Sequence, residues 1–302
     1  MLPSFAKINW HLRILGERAD GYHELITVLQ TISLHDELTF NFRDNSTIAL
    51  HCDDPEIPTD QTNLVVKAAL ALQQRVNMTR GAEISLLKRI PAKAGLGGGS
   101  SNAAVTLLAL NALWNCGLSV DELMTIGGGL GADVPFFLVG GRGLATGTGT
   151  TLSRLPDGPK QSLIVITPNA VVATANAYAS LNAASLTTPD SDSILSSSLA
   201  GPTSADSRQW PLKNDFEKVI FEIEPEIERA KKALLEAGAR GALLAGSGSS
   251  VFGVFDDETA RGHAVANLKS EAGWKVFACD TVTRDEYFSA INSSGFPLFT
   301  LS

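Results

Sequence analysis

Residues 90–101 read Ile-Pro-Ala-Lys-Ala-Gly-Leu-Gly-Gly-Gly-Ser-Ser, and four of the five residues from Gly95 to Gly99 are glycine. Without a Cβ, such a backbone can turn through positive φ and come close to a ligand. Successive N–H groups then form an anion-sized concavity. A strand-like run from Glu83 to Lys88 leads in, and an apolar segment from Asn102 to Trp114 leads out. Ser100 or Ser101 is placed to cap the outgoing helix, whose N-terminus favours a phosphate. The stretch reads as a phosphate cradle. As a plain turn, its glycines would each cost about 0.5–1 kcal/mol relative to alanine. It is neither a Walker A loop, which needs Gly-Lys-Ser/Thr, nor a dinucleotide fingerprint, whose sixth position from Gly95 would be Ser100.

Phosphate chemistry also needs a proton acceptor and a cation. Asp133 is the one charged residue between Glu122 and Arg142, with small residues before it and Val-Pro-Phe-Phe after it. Unpaired among such neighbours, a carboxylate is partly desolvated and suits a base; it reads equally well as a turn aspartate before Pro135. Lys7, Asn9, His11 and Arg13 alternate with Ala6, Ile8, Trp10 and Leu12. That period of two places the polar set on one strand face, which is either solvated or lines a cleft. Tyr22 and His23 follow the turn dipeptide Asp20-Gly21, at a loop edge.

The elements that must position these residues follow from local pattern. Phe5 to Leu15 is a strand. His35 to Phe42 and Thr47 to Cys52 read as a strand pair joined through Asp44-Asn45. Thr62 or Asn63 caps a helix to about Val76. The helix after the glycine loop is apolar nearly all round and must be buried. Ser119 opens another helix, ending at Gly127-Gly-Gly129. The glycine- and threonine-rich run 140–151 and Pro156-Asp-Gly-Pro159 mark a boundary between two domains. Beyond it, Ser162 to Thr167 reads as a strand, and the Ser/Thr/Pro-rich run from Thr187 to Ser207 as a mobile excursion. Asn214 or Asp215 starts a helix, Pro225 another, and two strands, a helix and a strand near Lys275 to Val282 close the half. Strands alternating with helices suggest an α+β sandwich of the ferredoxin-like class.

The chain has 302 residues and a net charge of −8, which argues against a large basic nucleic-acid face. Three distant cysteines, Cys52, Cys116 and Cys279, suggest neither a disulfide framework nor a zinc site. No signal peptide is expected and no apolar run approaches 18 residues, so the expectation is a cytoplasmic protein with no membrane partner.

Taken together, Phe5-Ala-Lys-Ile-Asn9, Pro91 to Ser101, and Leu244-Ala-Gly-Ser-Gly-Ser-Ser-Val-Phe-Gly253 resemble, in that order, the galactokinase–homoserine kinase–mevalonate kinase–phosphomevalonate kinase (GHMP) superfamily. Ala19-Asp-Gly-Tyr-His-Glu24, Asn102 after the paired serines, and Gly131-Ala-Asp-Val-Pro135 narrow the resemblance to a branch whose phosphoryl acceptor is an alcohol with a cytidine diphosphate tail. The resemblance implies an α+β, two-domain fold. A ribosomal-protein-S5-like, ATP-binding N-terminal domain would span 1–155 and a ferredoxin-like, substrate-side C-terminal domain 156–302. It implies ATP and Mg²⁺ as cofactors and a small-molecule alcohol as partner. Lys7 and Asp133 would be catalytic. Asn63 would lie near the adenine, and Pro91, Ala94, Gly95, Leu96, Gly97, Gly98, Gly99, Ser100 and Ser101 at the nucleotide. Asn9, Tyr22, His23, Asp133 and Tyr178 would bind the acceptor, with Tyr22 and Tyr178 on opposite faces of its base and His23 at the edge. Ser100 or Ser101 is the nearest hydroxyl for the metal, whose ligands stay unassigned.

Overall fold

The computed structural model describes residues 1–19, 21–170, 172, 177, 178, 181 and 212–293. Asp20 and the whole of Thr187 to Ser207 lie outside the described residues. Two sheets face each other, each backed by helices. The first joins β1 (Leu2–Glu17), β2 (His23–Arg43), β3 (Ile48–Cys52), β4 (Gly81–Leu87), β5 (Arg142–Gly147), β6 (Thr151–Leu155) and β8 (Lys213–Asn214) in the order β3-β4-β2-β1-β8, with the β5–β6 hairpin on β2. The second contains β7 (Ser162–Pro168), β9 (Gly241–Leu244), β10 (Val251–Phe255) and β11 (Trp274–Asp280), antiparallel, in the order β11-β7-β10-β9. With its helices, that order is the ferredoxin-like arrangement expected.

Four helices belong to the first half: α1 (Leu64–Arg75), α2 (Gly98–Leu113), α3 (Val120–Leu130) and α4 (Val134–Val139). Among the described residues, later helices include α5 (Glu217–Ile223), α6 (Pro225–Glu236), α7 (Glu258–Leu268) and α8 (Arg284–Asn292). Helix α2 is buried on nearly every face, as its all-round apolarity requires. It runs through a core that includes Leu72, Phe136 and Phe137, and α8 adds Tyr287 and Ile291 to the same core. Ile8, Trp10 and Val28 from the first sheet meet Leu163, Val165 and Phe252 from the second, fixing the two sheets against each other.

Several sequence expectations are corrected. β2 and β3 do not pair; β4 lies between them, antiparallel to β2 and parallel to β3. The reason is the crossover through α1, which brings β4 back beside β3 and displaces a simple hairpin. The run 140–151 forms the β5–β6 hairpin of the first sheet, because Gly147 and Gly149 supply its turn. Helix α3 continues through Gly127 to Gly129, where the small residues admit Val134: its Cγ1 lies 2.8 Å from where a Gly127 Cβ would sit. Asn214 is the end of β8, and its side-chain oxygen accepts from Phe216 N, so α5 starts later than expected.

Candidate active site

The polar face of β1 is buried, not solvated: Lys7 is 5% and Asn9 2% exposed. Lys7 Nζ donates to Asn9 Oδ1 at 2.8 Å, Asn9 Nδ2 donates to Thr27 Oγ1 at 2.6 Å, and Thr27 Oγ1 donates to His11 O at 2.7 Å. Each polar group in this chain has a partner, which is what makes its burial tolerable. The strand is tied to the glycine loop by Lys7 N, which donates to Leu96 O at 2.9 Å.

Asp133 immediately precedes α4 but makes no side-chain cap. Its carboxylate turns instead to Lys7, with Oδ2 3.6 Å from Nζ, and its side chain is 37% exposed. Paired in this way, Asp133 is not the unpaired, desolvated acid that its sequence neighbours would otherwise make of it. The carboxylate is open to the cleft, and a cation stands beside it.

The glycine loop packs against Lys7. Gly97 has φ of 72°, and a Cβ there would come within 2.8 Å of the Phe137 ring and 3.0 Å of Lys7 Cγ. Glycine is therefore required both by conformation and by the approach of Lys7. Helix α2 starts at Gly98 with Gly97 as its cap, so neither Ser100 nor Ser101 caps it. Ser101 N is bonded to Gly97 O; the N–H groups of Gly98, Gly99 and Ser100 precede it, the donors that a helix end leaves without intrahelical partners. The Gly246–Ser250 segment packs against the loop, with Ser250 N donating to Ala94 O at 3.1 Å. A Cβ on Gly246 would lie 3.1 Å from Lys7 Nζ. The three sequence motifs thus converge on one place.

The loop divides two cavities. One, of about 900 Å³, is walled by Lys7, Asn9, Tyr22, His23, Thr27, Gly95, Gly97, Ser100, Asp133, Tyr178 and Ser247, among others. The other, of about 510 Å³, is walled by Asn63, Lys88, Pro91, Ala94 and every residue from Gly95 to Ser100. Gly95, Gly97 and Ser100 face both. Ser101 is fully buried and its hydroxyl accepts from Ser4 Oγ at 2.8 Å, so it supports the helix from behind. Asn63 lines the second cavity while its amide is used to cap α1, accepting from Val65 N and donating to Pro58 O.

At the far end of the first cavity, the His23 and Tyr178 rings are 5.1 Å apart, tilted by 42°. Tyr178 is held edge-on against Phe216 at 4.8 Å. Burial, and then the Asp133 carboxylate, pushes the Tyr178 phenol above its ordinary pKa. Tyr22 lines the same cavity and is 66% exposed. The ring contact is therefore made by His23, the residue expected at the base edge. Thr27, Lys88 and Ser247 are site residues the sequence did not single out. Lys88 carried the clearest signal, as a charge ending the incoming strand.

Residues 63–141 match the GHMP kinases N terminal domain and residues 203–273 the GHMP kinases C terminal domain. A 4-diphosphocytidyl-2-C-methyl-D-erythritol kinase of Syntrophotalea carbinolica is 42% identical over 278 residues, covering 92% of this chain and 97% of its own. The chain belongs to the 4-diphosphocytidyl-2-C-methyl-D-erythritol kinase family. Another such kinase, of Solibacter usitatus, is 42% identical over 95% of this chain and 90% of its own. A crystal structure of a 4-(cytidine 5'-diphospho)-2C-methyl-D-erythritol kinase superposes with a TM-score of 0.78 at 32% identity, covering 92% of this chain and 98% of that one. The family's fold is the two-sheet arrangement described above. Among the described residues, no helix is long and apolar enough to cross a membrane.

Proposed function

We propose that this protein transfers the γ-phosphoryl group of ATP to the 2-hydroxyl of 4-diphosphocytidyl-2-C-methyl-D-erythritol, a step of isoprenoid precursor synthesis by the non-mevalonate route. The observation that carries the reading is the Lys7–Asp133 pair, 3.6 Å apart in the wall of a cleft that also holds the glycine loop. Residues 1–155 are assigned the ATP side and 156–302 the acceptor side, with α8 lending its apolar face to the first core.

The residues suit the reaction in the following way. Asp133 accepts the proton of the acceptor hydroxyl as its oxygen bonds to the γ-phosphorus. The bond from that phosphorus to the bridging oxygen breaks, and ADP leaves. Lys7, fixed by Asn9, faces the charge that spreads over the transferring group. The N–H groups of residues 98–100 and the α2 dipole hold the nucleotide phosphates, with Asn63 and Pro91 toward the adenine. His23, Tyr178 and Tyr22 hold the cytosine by their aromatic faces.

No group of three or more His, Cys, Asp or Glu among the described residues could cage a metal. This suits Mg²⁺, which keeps several waters and is bound by one or two protein groups plus substrate phosphates. Ser100, which lines the cleft, is the residue whose hydroxyl would hold it, and when bound it would neutralise phosphate charge.

The test is incubation with ATP and, separately, 4-diphosphocytidyl-2-C-methyl-D-erythritol, mevalonate or homoserine. ADP release and a new phosphomonoester signal by phosphorus NMR are expected with the first acceptor alone. Turnover of a simple alcohol at an equal rate would overturn the substrate assignment.

A further inference from the structure

The carboxylate of Asp36 is the most deeply buried acid near the loop, at 0% exposure on β2. In the sequence it sits within His35-Asp36-Glu37 and looks like part of a surface charge cluster. Its Oδ1 accepts from Arg89 N and from Ile90 N, both at 2.7 Å. Its Oδ2 accepts from Lys88 Nζ at 2.7 Å and from Asn102 Nδ2 at 3.0 Å. Four donors use the acceptor capacity of both oxygens.

These donors come from two places. Lys88, Arg89 and Ile90 follow β4 and lead into the glycine loop; Asn102 lies on α2, which leads out of it. Asn102 Nδ2 also donates to Ser4 Oγ at 2.9 Å, and Ser4 Oγ donates on to Ser101 Oγ. Lys88, whose side chain is 7% exposed, completes its bonding at Ile90 O, and its Nζ lies 3.2 Å from where a Cβ on Gly98 would sit. Both ends of segment 91–97 are thus fastened to one carboxylate.

We propose that Asp36 is a positioning residue for ATP, setting the geometry of the phosphate loop through this four-donor clamp. The proposal rests on the reading of residues 95–100 as the ATP-phosphate site. A buried ion pair contributes little to stability over an apolar replacement of similar volume, so its location points to register rather than to folding energy. Donors aimed at phosphate help only if they are fixed before the ligand arrives. A loop with four glycines between residues 91 and 99, Gly95, Gly97, Gly98 and Gly99, cannot fix itself and so needs an external anchor.

The experiment uses the full chain with Asp36→Asn. Asparagine keeps an acceptor for the two backbone N–H groups but turns an amide N–H₂ toward Lys88 and Asn102. The readouts are the ATP dissociation constant by calorimetry, the acceptor KM, and hydrogen–deuterium exchange of segment 90–101 without ligand. Expected are ATP binding at least about tenfold weaker, an acceptor KM within about twofold, and faster exchange in 90–101 with β7 and β10 unchanged. Unchanged exchange in 90–101 would overturn the clamp, as would equal acceleration throughout the molecule, which is the mark of a merely structural role. Faster local exchange with unaltered ATP binding would overturn Asp36 as a positioning residue for ATP and leave it only a local anchor of the segment. Should Asp36→Asn fail to fold, Asn102→Ala removes one of the four donors and is expected to shift the same readouts in the same direction by about threefold; unchanged exchange there overturns the proposal equally.

Discussion

At the loop end of the cleft, Lys7 and Asn9 are buried and every polar atom named in the chain from Lys7 to His11 is bonded within the fold. At the opposite end, Tyr22 is 66% exposed, and His23 leans on Tyr178 at a tilt with room left between the rings and the loop. The first end is finished before any ligand arrives; the second is shaped by surfaces that a ligand can still adjust. The chemistry explains the contrast. Charge developing on a transferring phosphoryl group is stabilised by donors already in place. A stacked base needs aromatic faces and tolerates some rearrangement.

Substitutions can break this comparison, and the largest effect is expected at the finished end. Asp133→Asn should leave both ligands bound and lower kcat by roughly 10²–10⁴, measured by steady-state kinetics with separate binding isotherms. Near-wild-type kcat would remove Asp133 from the chemistry. Gly97→Val forces a β-branched residue to a φ of 72° against Phe137 and Lys7. Strain of about 1–3 kcal/mol there should weaken ATP binding by roughly 5- to 150-fold, with cytidine nucleotide binding retained. Calorimetry with each nucleotide separates the two.

At the open end, Tyr178→Ala should raise the acceptor KM by roughly 5- to 150-fold, from the loss of about 1–3 kcal/mol of stacking, and should move kcat much less. A kcat loss as large as that of Asp133→Asn would erase the distinction between the two ends. Tyr22→Ala, at an exposed ring, should give the smallest change, about fivefold or less in KM. A Tyr22 effect exceeding that of Tyr178 would show that Tyr22, not the His23–Tyr178 contact, is the principal face for the base.

Much of the candidate site was legible because its residues carry local signatures. The glycine loop, the capped helix at Asn63 and the Asp133 turn are each visible within a few residues. Burial of the Lys7 face was not, since alternation looks the same whether a strand faces water or a cleft; the Gly246 segment closes over it from far along the chain. Asp36 was hidden for the same reason: its partners lie 52 to 66 positions away in sequence. In the fold, the strand pairing near residue 45 misled because β4 returns from beyond α1 to separate β2 from β3. Long-range insertion of this kind leaves no periodic trace in the segments it separates.

The most direct measurement is a crystal structure with a non-hydrolysable ATP analogue and 4-diphosphocytidyl-2-C-methyl-D-erythritol bound together. The account requires the phosphates on the N–H groups of residues 98–100 and the acceptor 2-hydroxyl within about 2.6–3.2 Å of the Asp133 carboxylate, with Lys7 beside the γ-phosphate. A triphosphate seated away from the loop, or an acceptor hydroxyl out of reach of Asp133, would contradict it.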